Sequence, residues 1–218
     1  LKFIQNIYLT WRKGKGERRH IVGILRKNVT DGVRFDYLSE GVKNALKDGF
    51  APYVDFPDLN KTYKESVLDI FGQRLVNTDR SDIQKYYDFW EIDPTFKEDK
   101  FYMLAYTQGM LSTDNFEFLA EFYPKKGLCF VSEISGLSIL KLPHDAVKTD
   151  DELSWILEKG NKYDKHAVKV FKGQSEIGYI KLIHSKIFHK SFKGKLRIQV
   201  KSVDQNGSIN RIFIRISF

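Results

Sequence analysis

The run Asn161-Lys162-Tyr163-Asp164-Lys165 places one aromatic ring between two lysines, with an amide and a carboxylate on the same short segment. These residue types suit a nucleic-acid strand. The ring offers a stacking face for a base, the lysines neutralise phosphates, and Asp164 can accept a hydrogen bond from a terminal sugar hydroxyl. A polar turn over Asn161 to Asp164 would present the ring outward. The competing reading packs Tyr163 on its own domain and leaves Asp164 as a turn cap.

Catalytic sets fare worse. Gly14-Lys15-Gly16 is not followed by the GxxxxGK[ST] pattern of a phosphate-cradling loop, and a hairpin tip accounts for both glycines. Pro57-Asp58 and the later Glu98-Asp99-Lys100 have the letters of a metal-dependent nuclease, in which two carboxylates hold Mg²⁺ and a lysine stabilises charge in the transition state. The acidic pair also falls at an expected helix start, where the dipole favours it, rather than on a strand. His20, His144, His166, His184 and His189 lack the i, i+4 pairing or the nearby cysteines of a metal site. The cluster Asp145, Asp150, Asp151 and Glu152 lacks the spacing and glycine of a Ca²⁺ loop. No cofactor or metal is therefore expected, and nuclease stands as the enzyme alternative.

Charge distribution points the same way as the aromatic turn. Residues 1 to 120 carry 18 basic and 18 acidic side chains, whereas residues 121 to 218 carry 18 basic and 10 acidic. The entire net charge of +8 thus lies in the C-terminal part. A localised positive field draws polyanions by counterion release; a spread one mainly aids solubility. The single cysteine, Cys129, lies in an apolar run and reads as a small buried residue, so no disulfide within the chain is possible. No apolar run approaches the roughly 18 residues of a membrane helix, and Leu1 to Trp11 has no leader pattern, which predicts a soluble, cytoplasmic protein.

The elements that must hold these residues divide near residue 120. Ile7, Leu9 and Trp11 alternate, the loop Arg12 to Arg19 follows, and His20 to Leu25 completes a hairpin; Val33, Phe35 and Tyr37 make a third strand after the Thr30-Asp31-Gly32 turn. Ser39 is the expected N-cap of a helix over Glu40 to Lys47 ended by Gly49. Tyr63, Val67, Leu68 and Phe71 have helical spacing, and Ser81 to Trp90 and Lys100 to Tyr106 suggest further helices. After Ala120 short β-rich runs take over: Leu128 to Ile134, Leu153 to Leu157, Ala167 to Phe171, Glu176 to Ile180, Leu196 to Val203 and Arg211 to Phe218. One helix is expected near Leu182 to Phe188, and Asn206-Gly207 is a strong hairpin signal. The spacing predicts a small closed barrel. The fold class is thus an α+β N-terminal domain (residues 1 to 120) followed by a small, mostly-β barrel (residues 121 to 218) with one or two short helices.

The stretch Asp151 to Val170, with its Asn161-Lys162-Tyr163-Asp164 turn and Ala167-Val168 strand, followed by Ile177-Gly178-Tyr179-Ile180, resembles the HIRAN domain. The family's hallmark is an Asn-Pro-Tyr-Asp turn, an Ala-Val or Ala-Ile strand and an Ile-Gly-Tyr-Ile strand. The resemblance spans residues 122 to 218. It implies a nucleic-acid-binding barrel with Asn161, Lys162, Tyr163, Asp164, Lys165, Tyr179 and Lys181 as contacts. In the HIRAN domain that reads 3′ ends of single-stranded DNA, an Arg-Tyr pair and a lysine complete the pocket. Here Ser135 and Gly136 stand at the first two positions, and Leu182, beside Lys181, at the third. Lys162 replaces the turn proline.

Residues 1 to 120 resemble the small N-terminal subdomain of HipA-type kinases. The matching segments are Ile7 to Trp11 with Val22 to Leu25, Gly32 to Leu38, Phe71 to Leu75 and Lys100 to Ala105. No kinase core follows. The resemblance implies an antitoxin-like module that docks on a separate HipA-like Ser/Thr kinase core. Taken together, these features predict a non-catalytic adaptor that binds DNA, single-stranded or at ends, and makes no membrane contact.

Overall fold

The computed structural model describes residues 3–190, 196–206 and 208–218. The chain forms two compact units, one of Leu1–Asp88 with Ile92–Phe122, the other of Phe89–Glu91 with Tyr123–Phe218.

The first unit is built on a four-stranded antiparallel sheet ordered β3-β2-β1-β4. Its strands are β1 (Ile4–Trp11), β2 (His20–Asn28), β3 (Gly32–Tyr37) and β4 (Phe116–Phe122). Alternation in β1 to β3 sends Ile7, Leu9, Val22, Phe35 and Tyr37 into the core. The helices are α1 (Ser39–Lys47), α2 (Val67–Gly72), α3 (Ile83–Trp90) and α4 (Lys100–Thr107). An aromatic cluster fills the space beneath the sheet: Phe71 lies 5.2 Å from Phe35, 4.9 Å from Phe56 and 4.8 Å from Phe118, ring centre to ring centre.

Two expectations are corrected by the structure, and one strand is added. Ser39 is the first residue of α1, not its cap; Leu38 is the cap and gives no side-chain hydrogen bond. Tyr63 is not helical, because its backbone N–H and C=O pair with Phe35 and extend the sheet edge by one bridge. Segment 116–122, to which the sequence pattern assigns no element, is strand. It pairs along the whole of β1, from Ile4↔Phe122 to Trp11↔Phe116, and so crosses the division placed at residue 120.

The second unit is a closed six-stranded barrel in the order β10-β5-β8-β7-β6-β9. It comprises β5 (Cys129–Ser135), β6 (Glu152–Leu157), β7 (Val168–Lys172), β8 (Ser175–Ile180), β9 (Arg197–Asn206) and β10 (Ser208–Ser217), with short helices α5 (Leu137–Leu140) and α6 (Lys186–His189). The fold class expected from the sequence is the one observed. Ile212, Ile214 and Ile216 of β10 and Ile198 and Val200 of β9 point inward at every second position. β9 and β10 run up to their turn, with Asn206 opposite Ser208; Gly207 of the expected Asn-Gly turn lies outside the described residues. Helix α6 is shorter than the span expected over Leu182 to Phe188 and starts four residues later. Cys129 is only partly buried, and that burial pushes its thiol up to about 12.

Closure constrains Gly178. This residue has φ +137°, and a Cβ there would collide with the Ser135 carbonyl oxygen, where β8 crosses closest to β5. Gly178→Ala should therefore cost about 2–4 kcal/mol, combining strained backbone with overpacking. Urea unfolding monitored by tryptophan fluorescence measures this. A change below about 0.5 kcal/mol would mean the barrel closes elsewhere.

Candidate nucleic-acid interface

The aromatic turn lies between β6 and β7, and its neck is closed by backbone bonds: Glu158 N–H donates to Ala167 O (3.0 Å) and Ala167 N–H to Asp164 O (3.0 Å). Inside the neck, Asn161 acts as a template. Its Oδ1 accepts from the N–H groups of Tyr163 (2.9 Å) and Asp164 (3.0 Å), and its Nδ2 donates to Glu158 (2.6 Å). Asp164 Oδ1 accepts from the His166 N–H (2.8 Å). Two consecutive side-chain-capped turns thus fix the backbone without using the Tyr163 side chain. The Tyr163 ring is 81% exposed. Lys162 and Lys165 are exposed on either side of it.

Behind the turn is an ionic layer. Lys169 bonds Glu158 at 2.9 Å and Glu176 at 3.4 Å, and its ammonium lies 5.5 Å from the centre of the Tyr179 ring. The Asn161 amide, then Lys169, hold the Glu158 carboxyl below its usual range. The same carboxylate raises Lys169, while partial burial, against the pull of Lys169, raises Tyr179. Tyr179 is therefore engaged in supporting the turn from below. Its register partner is Ser135, and the position a Gly136 Cβ would take is 3.6 Å from its ring.

Asp164 performs the capping role of the competing reading and retains acceptor capacity as well. Its Oδ2 has one long contact, 3.4 Å from the Ser185 hydroxyl just before α6. On the same side, the His166 and His189 rings lie 5.1 Å apart, edge to face, joining the turn to α6. Sequence spacing gives no sign of this pairing, because it depends on how α6 folds back between β8 and β9.

Lys181 is placed differently from the surface contact expected of it. It is 1% exposed and its ammonium bonds Glu133 at 3.0 Å; Glu133 also receives Arg211 at 2.8 Å. A side chain held in this way reaches no phosphate without leaving the barrel. Among the positions of the partly matched 3′-end pocket, Ser135, Gly136 and Leu182 supply neither a cation nor an aromatic ring.

The residues of the nuclease-like pattern have local tasks. Asp58 caps its own turn through the Asn60 N–H (2.9 Å). Asp99 caps α4 through the Tyr102 N–H (3.0 Å) and pairs with Lys27 (3.1 Å), while Lys100 pairs with Asp69 (2.7 Å). No group of three or more His, Cys, Asp or Glu able to hold a metal ion occurs among the described residues. No helix among them is long and apolar enough to cross a membrane.

No family model and no curated protein matches the chain. Among solved structures it is similar to the HIRAN domain of human HLTF, at 17% identity and a TM-score of 0.32, over 40% of this chain and 74% of that one. It is also similar to a protein from Lactobacillus plantarum, at 18% identity and a TM-score of 0.31, over 40% of this chain and 92% of that one. The HipA-like reading of residues 1 to 120 has no support beyond the residues that suggested it.

Proposed function

We propose that the C-terminal barrel binds single-stranded nucleic acid without catalysis, stacking a base on Tyr163 and placing Lys162 and Lys165 on the neighbouring phosphates. The observation that carries this reading is the Tyr163 ring, 81% exposed on a turn that Asn161 and Asp164 fix independently of it. A preformed turn spares the ordering cost of binding, and an exposed ring with an exposed lysine near it on each side in sequence suits sequence-tolerant strand binding. The resemblance of this segment to HIRAN domains and the +8 carried by residues 121 to 218 support the same ligand class. Ser135, Gly136 and Leu182 favour contact with the interior of a strand over reading of its 3′ end.

The test is a titration of the full chain with fluorescent oligo-dT at several salt concentrations. Two lysine–phosphate contacts give a log–log slope of about −1.4, at roughly −0.7 per phosphate. Absence of binding, or a slope near zero, would refute the reading. The same mixtures incubated with Mg²⁺ should return intact oligonucleotide. Cleavage that disappears in Asp58→Asn or Glu98→Gln would replace binding by nuclease activity.

A further inference from the structure

We infer that His166 and His189 form a proton-linked phosphate contact, so that strand binding tightens as pH falls. This rests on the stacking role of Tyr163 proposed above. The two imidazoles come from separate elements, the turn that carries Tyr163 and α6, and meet edge to face at 5.1 Å. His189 is exposed and His166 half-buried. Two imidazoles supply only half the ligands of a tetrahedral metal site. They suit an oxyanion, to which each donates an N–H, and as imidazolium each adds a charge-assisted bond.

The groups facing His166 are Asp164 and Lys165 from its own turn and His189 and Lys186 from α6. Burial, followed by the effect of His189, holds His166 below the ordinary histidine range, so it is neutral at pH 7 in the free protein. A phosphate placed against the pair favours the protonated form of His166 and raises its pKa in the complex. Binding is then coupled to proton uptake. The affinity gain is fully present below the free-protein pKa and is lost as pH rises through the pKa of the complex.

The experiment measures the affinity of the full chain for oligo-dT between pH 8 and pH 5.5 at constant ionic strength. Thymine does not titrate in this range, and lysines and ordinary carboxylates keep their charge. The wild type should tighten steadily as the pH falls to 5.5, by up to about tenfold for each pKa unit of coupling. His166→Asn/His189→Asn should show less than half the wild type's logarithmic gain in affinity on acidification, each protein being referred to its own affinity at pH 8. Tyr163→Ala should bind more weakly at every pH while keeping the pH dependence. Wild-type affinity constant within twofold across the range, or an undiminished acid gain in the folded double variant, would overturn the inference while leaving the stacking site standing. Failure of the stacking site itself is a separate outcome: Tyr163→Ala equal to the wild type at pH 8, whatever the pH dependence.

Discussion

Tyr163→Ala lowers the affinity for single-stranded oligonucleotides by about 1–3 kcal/mol, roughly five- to 150-fold, and leaves folding stability within about 0.5 kcal/mol of the wild type. The two halves of this expectation have the same origin. Asn161 and Asp164 hold the turn through backbone bonds, so removing an 81% exposed ring empties no cavity and breaks no cap. Tyr163→Phe keeps the stacking face and should bind nearly as the wild type does. Titration of the three proteins against oligo-dT, with thermal melts run in parallel, decides the matter. If a folded alanine variant binds as tightly as the wild type, Tyr163 is only a surface residue. A large loss of stability would show that the ring packs on its own domain.

A second large effect is expected at Glu133. Its carboxylate receives the buried Lys181 ammonium at 3.0 Å and the Arg211 guanidinium at 2.8 Å. Glu133→Ala removes the carboxylate facing a cation that is 1% exposed and should destabilise the barrel by about 3–5 kcal/mol. For a unit of this size the melting temperature should fall by more than about 10 °C. Replacing the two buried members, as Glu133→Leu with Lys181→Met, should recover most of the loss, because an apolar pair of similar volume needs no compensation for buried charge and Arg211, about a third exposed, can turn to solvent. The double variant should also keep wild-type affinity for oligo-dT. A weakened salt dependence in that folded variant would return Lys181 to the phosphate contacts.

Legibility from sequence followed the range of the forces involved. The barrel strands were readable because a one-sided strand alternates, as Ile212, Ile214 and Ile216 do, and a turn residue such as Asn161 acts on its immediate neighbours. β4 was not readable. Its polar residues Glu117 and Glu121 are buried, and their partners Arg12, Arg19 and Tyr8 stand about a hundred positions earlier in the chain. Lys181 misled for a similar reason, since its partner Glu133 lies on the neighbouring strand β5, about fifty positions earlier in the chain, and a lysine next to a motif reads as a surface residue. The turn of the candidate site was legible, while the His166–His189 pairing was not, because it depends on where α6 comes to rest.

The position of β4 has a consequence for how the first unit acquires its structure. β1 is an interior strand whose second neighbour is β4, so Tyr8 must wait for Leu119 before both of its edges are paired. During synthesis from the N-terminus, the β1–β2–β3 meander can assemble early from local hairpins, but it presents the open backbone edge of Ile4–Trp11 until residue 122 has emerged. Closing a loop of that length carries an entropy cost that the local hairpins do not, and an open strand edge is a surface on which nascent chains can pair with one another. The buried bonds that Arg12 and Arg19 make to Glu117 then act as a latch that forms only when the correct strand arrives.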